Sequence, residues 1–547
     1  MPKARNDMMA SRYAAPAPAE AAQGWRIGRL TPPSRLFGAN GIRFAPDGRL
    51  WIAQVGGSQI SALDVDDGAI SVISPKGGAI VAPDDLAFDD AGSLYVTEIT
   101  EGRVCRRTRD GRVSVIRGDI PVANAITFHQ GRLFVGECRM GGRILELDLD
   151  GGEPRLIAGD LPMVNAFETG PDGLLYFPVM GANQIWRVPL AGGSPEVVAG
   201  DLGVPDAVKF DARGRILSTQ VASGQLLRID PHAGTREMLA DLGPGLDNVA
   251  IRDGRIFVSS IPGEITEILP SGGVRPVVSR GLQWPLGLAL GADGALFVAD
   301  GTFGYRLFPG AGLELAGMIF APGCPGYLRG VAAGTVPGEW LVTTGLGAVA
   351  RYHPAEGRST LLASGLDRLM GVAERADGSL TVVEHGRGRL LAIGDGSVTV
   401  LASGLDQPMG VAVAPDGRTY VAEAGAGRIV EVADGSIRPV VAGLSRPEGL
   451  AFADDRLLIV DVGAKALLRA EPGGRVETLA THLPVGAPAG VEPMFLGPIG
   501  DLAGPMIPFA GIAVAPDGRI FLSGDAEGSV LALAPPRAGG ACPRPAT

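Results

Sequence analysis

Apolar residues along this chain come in short runs, each broken by a polar turn and answered by a second apolar run. The stretch from Asn40 reads NGIRFAPDGRLWIA, and the stretch from Met409 reads MGVAVAPDGRTYVAEAG. Each is an apolar strand, a tight turn of the Asp-Gly type, and a second strand rich in β-branched and aromatic residues, which together spell a β-hairpin. The pattern returns about every 40 residues, so the chain reads as an array of small sheets. Aligned copies begin at Asn40, Asp84, Asn124, Asn165, Asp206 and Asp247, then at Leu286, Arg329, Met370, Met409, Glu448 and Ala510.

A third apolar strand follows each hairpin, as in RIVEV from Arg428, and usually a fourth, as in RPVVAGL from Arg438. Four antiparallel strands per repeat make a propeller blade, buried on both faces by its neighbours, which explains strands that are apolar throughout. A single ring of twelve blades would leave a very wide channel, whereas propellers usually hold four to eight. The expected fold is therefore all-β, two six-bladed β-propellers. The expected boundaries are a flexible leader at 1–23, a first propeller at 24–280, a second at 281–535 and a tail at 536–547. The twelfth repeat lacks an obvious fourth strand, and the segment GWRIGRL at residues 24–30 is the candidate to supply it.

Composition narrows the partners. With 83 glycines, 43 prolines and 46% hydrophobic residues, the 547-residue chain is turn-rich and folded. A net charge of −11 argues against a nucleic-acid partner, which requires a basic face. No apolar run reaches membrane-spanning length, and the leader lacks the apolar core of a secretory signal. Cys105, Cys138, Cys324 and Cys542 are scattered without metal-ligand spacing and are expected to be reduced, so the expected location is cytoplasmic. A small-molecule substrate is the expected partner, with the oligomeric state left open.

The first residue of each repeat carries the chemistry. In a propeller the first strand of every blade lines the axial channel, so residues that open it meet in a ring. The first ring reads Asn40, Asp84, Asn124, Asn165, Asp206, Asp247; the second reads Leu286, Arg329, Met370, Met409, Glu448, Ala510. Carboxylates facing one another in a channel repel, which raises a pKa or demands a cation. Oxygen donors of this kind suit Ca²⁺ first, with Mg²⁺ or Mn²⁺ next, and soft or imidazole donors are absent from the ring. The competing reading is that Asn and Asp open strands because they bond loose backbone groups there. The second ring is mostly apolar, with Leu286, Met370 and Met409 expected to seal it.

On these residues the repeats resemble NHL-type blades, and the first half resembles the regucalcin/gluconolactonase group of six-bladed propellers. That resemblance implies a channel cation held by a Glu, two Asn and an Asp that also serves in acid/base work. Asn124, Asn165 and Asp206 match the Asn, Asn, Asp series, while Asn40 stands where the group has Glu and Asp84 or Asp247 is left to restore the charge. The implied activity is metal-dependent hydrolysis of a lactone or ester, with Asp206 or Asp247 taking a proton from water. The alternatives are a lyase resembling streptogramin B lyase, using Glu384 and His385, and a non-catalytic scaffold that binds a protein or small ligand.

Glu98, Glu137, Glu384, Glu423, Asp300 and Asp461 recur at the end of the second strand in both halves, which favours a structural role in bonding the adjacent turn. His129, His232, His353 and His482 are expected to be solvated in turns and connections.

Overall fold

The computed structural model describes residues 12, 17–394, 396–471, 474–487 and 491–536. These residues form twelve antiparallel sheets, eleven of four strands and one of five. Every blade but the twelfth runs its four main strands from the channel outward in chain order, as in the first: Ile42–Phe44, Leu50–Gln54, Gln59–Leu63 and Ile70–Ser74. The two middle strands of that blade are buried at every position, while the outer strand meets solvent. Blade faces pack on each other through apolar layers, for example Trp51, Ala53 and Ile60 against Leu86, Leu94 and Val96. Among the described residues, no helix is long and apolar enough to cross a membrane.

Contacts divide the chain into two compact units, one of Ser34–Gln283 with Ala489–Ile507, the other of Met1–Pro33, Trp284–Pro488 and Pro508–Thr547. The first contains the N-terminal propeller. Its sixth blade meets its first where Ser259 Oγ donates to the Asn40 carbonyl at 2.7 Å. The second contains the C-terminal propeller, where Ser523 Oγ of the last blade donates to the Leu286 carbonyl of the first.

The expected domain limits shift near the N-terminus. Strand Arg26–Arg29 pairs with Ser529–Ala534, in register Arg26 to Ala534 through Arg29 to Leu531, so it completes the twelfth blade. Residues 24–33 therefore belong to the C-terminal unit and not to a first propeller beginning at residue 24. Part of the leader expected to be flexible is also strand: Glu20–Ala21 pairs with Thr481 and Ala480 as a fifth strand on the eleventh blade. In each case an unpaired strand edge at the end of a blade is satisfied by backbone from elsewhere in the chain. Within the leader, residues 1–11 and 13–16 lie outside the described residues, as do 537–547 of the tail, Cys542 included.

The long connection between the eleventh and twelfth repeats is likewise more than a linker. Its stretch Ala489–Ile507 belongs to the N-terminal unit. There it forms a small hairpin with bridges Leu496 to Met506 and Ile499 to Ala503, and buries Leu496, Ala503, Met506 and Ile507.

Carboxylates closing the second strands anchor the turn before the inner strand. Glu98 accepts from Val81 N–H, Glu384 from Asp367, Glu423 from Asp406, Asp300 from Trp284 and Asp461 from Ser445 and Arg446, at 2.6–2.9 Å. Gln54 and Gln220 do the same at 2.8 and 2.9 Å. An Arg opening the third strand pairs with several of them, as Arg389 with Glu384 and Arg428 with Glu423.

Candidate functional site

Four of the six inner strands of the N-terminal propeller begin with a local irregularity at the ring residue. Pairing with the second strand skips from Pro83 to Leu86, from Ala123 to Ile126, from Pro205 to Val208 and from Leu246 to Val249. Asp84, Asn124, Asp206 and Asp247 sit inside these bulges, a device that re-aims side chains next to sites. The bulges are held by hydroxyls of the preceding blade: Thr97 donates to the Asn124 carbonyl at 2.6 Å, and Thr219 does so to Asp247. These latches escaped the sequence reading, although a Thr or Ser directly before the capping position marks them in Thr97, Thr219 and Ser259.

All six ring residues are buried. Their hydrogen bonds divide them. Asn40 is fully used, donating from Nδ2 to Asp247 Oδ2 at 3.0 Å and accepting at Oδ1 from Val55 N–H at 3.1 Å. Asn165 Oδ1 accepts from Ala166 N–H at 2.7 Å, and its Nδ2 points at Met180 Sδ at 3.2 Å. Asn124 donates to Asp84 Oδ2 at 3.3 Å, but its Oδ1 is buried with no hydrogen-bond partner. The backbone-capping role that competes with ligand binding thus describes Asn40 and Asn165 and leaves Asn124 with a spare oxygen.

The three aspartates act on one another. Burial raises Asp84 well above the usual carboxylate range, with repulsion from Asp247 and Asp85 adding to it. Asp206 is raised by burial and by Asp84 and Asp85. Asp247 is raised by burial and Asp206, against a smaller opposing effect of the Asn40 amide. No cationic side chain acts appreciably on any of the three. The Cys138 thiol shares this field: burial pushes it well up, and Asp84, Asp206 and Asp247 push it further. A soft donor was not expected at this ring, and Cys138 follows Glu137 at the end of a second strand, where it reads as core.

A layer three residues further along the inner strands, also missed by the sequence reading, carries balanced charge. Lys209 Nζ donates to Glu168 Oε2 at 3.0 Å, Arg43 lies 3.7 Å from the same carboxylate, and Thr127 Oγ1 donates to Oε1 at 3.3 Å. Burial opposes ionisation of Glu168, yet Lys209 and Arg43 hold it at about 2. Asp85 accepts from Leu86 N–H at 2.8 Å, Ile126 N–H at 3.3 Å and Asn248 Nδ2 at 3.4 Å. Two cations thus face two carboxylates below, while three carboxylates above have no counter-charge.

As the side chains stand, no group of three or more His, Cys, Asp and Glu among the described residues is arranged to hold a metal ion. The donors nonetheless fit a hard cation in kind: carboxylates of Asp84, Asp206 and Asp247 beside the spare amide oxygen of Asn124.

The C-terminal channel is built differently. Its second inner-strand position is glycine in every blade, from Gly287 through Gly330, Gly371, Gly410 and Gly449 to Gly511. Each lies against the carbonyl of the next blade's ring residue; a Cβ on Gly410 would come within 2.1 Å of the Glu448 oxygen. These glycines line a small cavity on the axis, while Leu286, Met370 and Met409 are buried. Glu448 here accepts from Ala510 N–H at 2.9 Å and pairs with Arg446 at 3.2 Å, and burial, then Asp525, lifts it to about 7.

Glu384 and His385 have different hydrogen-bond partners. Glu384 is spent on Asp367 N–H and Arg389, while His385 Nδ1 lies 3.2 Å from the Pro408 carbonyl and burial lowers its pKa. His353 corrects the expectation of solvation: it is buried and lies 3.1 Å from Glu339. Cys105, Cys138 and Cys324 are free thiols.

No family model matches the chain. It is 28% identical over 106 residues to a gluconolactonase of Zymomonas mobilis, which covers 16% of this chain and 30% of that relative. The chain thus spans about a third of the length of the curated relative it matches. Similar solved structures include a streptogramin B lyase, with 18% identity over 51% of this chain and 96% of that one at a TM-score of 0.38. The gluconolactonase XC5397 of Xanthomonas campestris has 18% identity, 47% and 99% coverage and a TM-score of 0.39. The calcium-binding regucalcin of Agrobacterium tumefaciens has 21% identity, 42% and 84% coverage and a TM-score of 0.34.

Proposed function

We propose that this chain is a divalent-metal-dependent hydrolase of lactones or esters, acting in the channel of the N-terminal propeller. The observation that carries the reading is the charge imbalance of the upper ring, three buried carboxylates without a cation above a layer that is neutral. The local likeness to a gluconolactonase supports the reaction class. Free thiols support a cytoplasmic setting.

Asp84, Asp206, Asp247 and the Asn124 amide oxygen would hold the ion, Ca²⁺ before Mg²⁺ or Mn²⁺. When bound, it would polarise the ester carbonyl and offset the charge that builds on its oxygen. The protein's own groups handle the protons. Asp206, which accepts no side-chain hydrogen bond in the ring, takes a proton from the attacking water in its ionised form. The proton that Asp206 has taken passes to the leaving alkoxide as the acyl carbon–oxygen bond breaks, with Asp247 the substitute in that role. Asn40 steadies Asp247 by donating to its Oδ2.

The test joins metal content to turnover. Purified protein is expected to carry one divalent ion per chain and to hydrolyse simple five- or six-membered lactones. Asp206→Asn should lower kcat about 10²–10⁴-fold. Activity that survives both chelation and Asp206→Asn would overturn the proposal.

A further inference from the structure

The residues that enclose the acidic ring are apolar in register. Immediately after each second strand stand Val55, Ile99, Cys138, Met180, Val221 and Ile261. Two of them visibly touch the ring, Val55 through its N–H on Asn40 and Met180 through its sulfur on Asn165. The C-terminal propeller has Gly301, Gly345, His385, Ala424, Val462 and Asp525 at the same places.

A second collar lies two residues before the ring. The carbonyls of Ala82, Val122, Met163 and Val204 accept from the N–H groups of Ile99, Cys138, Met180 and Val221 at 2.8–3.2 Å, so the four occupy equivalent positions. All four hold a left-handed backbone, with φ from 45° to 63°. Glycine takes this place in the other two blades, at Gly38 and Gly245. A β-branched residue is strained at such a φ, and Val122 and Val204 accept that strain where glycine would relieve it. Turn geometry alone does not ask for these side chains. Position-matched Arg368 and Gln407 in the C-terminal propeller share the backbone but not the apolar character.

The hairpin from the connection between the last two blades lies against the second collar. Gly500 packs on Val122 Cγ2, where a Cβ would sit 3.4 Å away, and Gly497 packs on the Thr100 carbonyl, beyond Glu98 and Ile99. Phe495 at its base is 49% exposed.

We propose that the two collars and this hairpin form a binding mouth for an apolar substituent, so the ester taken at the ring is uncharged and alkyl- or aryl-substituted, not a sugar lactone. This rests on the hydrolase reading above. A charged or polyhydroxylated substituent would lose its hydration against collars whose only polar side chain is one thiol.

The test uses non-hydrolysable lactams in Ca²⁺ buffer, one series with alkyl chains of increasing length and one polyhydroxylated lactam, with binding read by calorimetry. The alkyl lactams should bind at least tenfold tighter than the polyhydroxylated one, with affinity rising about threefold to fourfold per buried methylene. In a Val122→Asn/Val204→Asn variant, which suits a left-handed backbone and should keep or raise the melting temperature, that gain per methylene should fall by half or more. Equal or tighter binding of the polyhydroxylated lactam, binding of neither, or an unchanged gain in the variant would each overturn the proposal. If alkyl lactams bind as expected but alkyl lactones are not hydrolysed, the hydrolase reading falls and the mouth stands.

Discussion

Asp247 illustrates how a single residue sets the pH behaviour of the channel. Its carboxyl, like those of Asp84 and Asp206, titrates higher in the folded chain than the roughly 3.9 of an unfolded one. Between those values the folded state binds more protons, so stability falls as pH rises from about 4 through the raised pKa values. In chelator at pH 7.5, Asp247→Asn should therefore stabilise the protein by about 0.5–2 kcal/mol and flatten this decline. Thermal melts from pH 5 to 8 read both effects, and a less stable Asn variant would mean that Asp247 is neutralised by a partner. The ring itself was legible because aligned repeats put equivalent residues at one height of a channel. Cys138 and Met180 were not, since the residues matching them in other blades, such as Ile99 and Val221, belong equally well to a core. Arg43, Glu168 and Lys209 were hidden for another reason: they share an aligned position three residues after the ring, but it is Ala87, Thr127 and Ala250 in the other blades, so no single residue type marks it.

Blades stand or fall with the carboxylate that ends the second strand. Recurrence in both halves pointed to a structural role, and the bonds of Glu98, Glu384, Glu423, Asp300 and Asp461 to the turn before the inner strand have that character. Glu423 is fully buried and holds both Asp406 N–H and Arg428. Its replacement by Ala leaves a turn N–H and a half-buried guanidinium without their acceptor, at a cost of about 3 kcal/mol. Denaturant melts of Glu423→Ala check this, and a loss below about 1 kcal/mol would show the turn to be self-supporting. The hairpins were legible from alternating apolar runs and Asp-Gly turns. The Leu496–Met506 hairpin was not, because its segment is rich in Gly and Pro and has no repeat partner to align with.

At the scale of the whole molecule, the twelve blades followed from periodicity, and the missing strand of the last one was traceable to GWRIGRL. What no local pattern could reveal is that residues Glu20–Ala21 also join a sheet, since two residues carry no period. Removing residues 17–30 uncovers two strand edges and should lower the melting temperature of the C-terminal propeller by several degrees and promote aggregation, as light scattering during a thermal ramp would report. An unchanged melt would make the pairing dispensable. The same clasp orders events in time. Arg26 waits for Ala534, so on the ribosome about 500 residues, some 25–100 s of synthesis, separate a strand from its partner. Through that interval the earliest segment of the C-terminal propeller is a bare strand beside a nascent chain. A circular permutant that carries residues 24–33 behind residue 534 would remove the wait, and with it the period in which the chain most needs a chaperone.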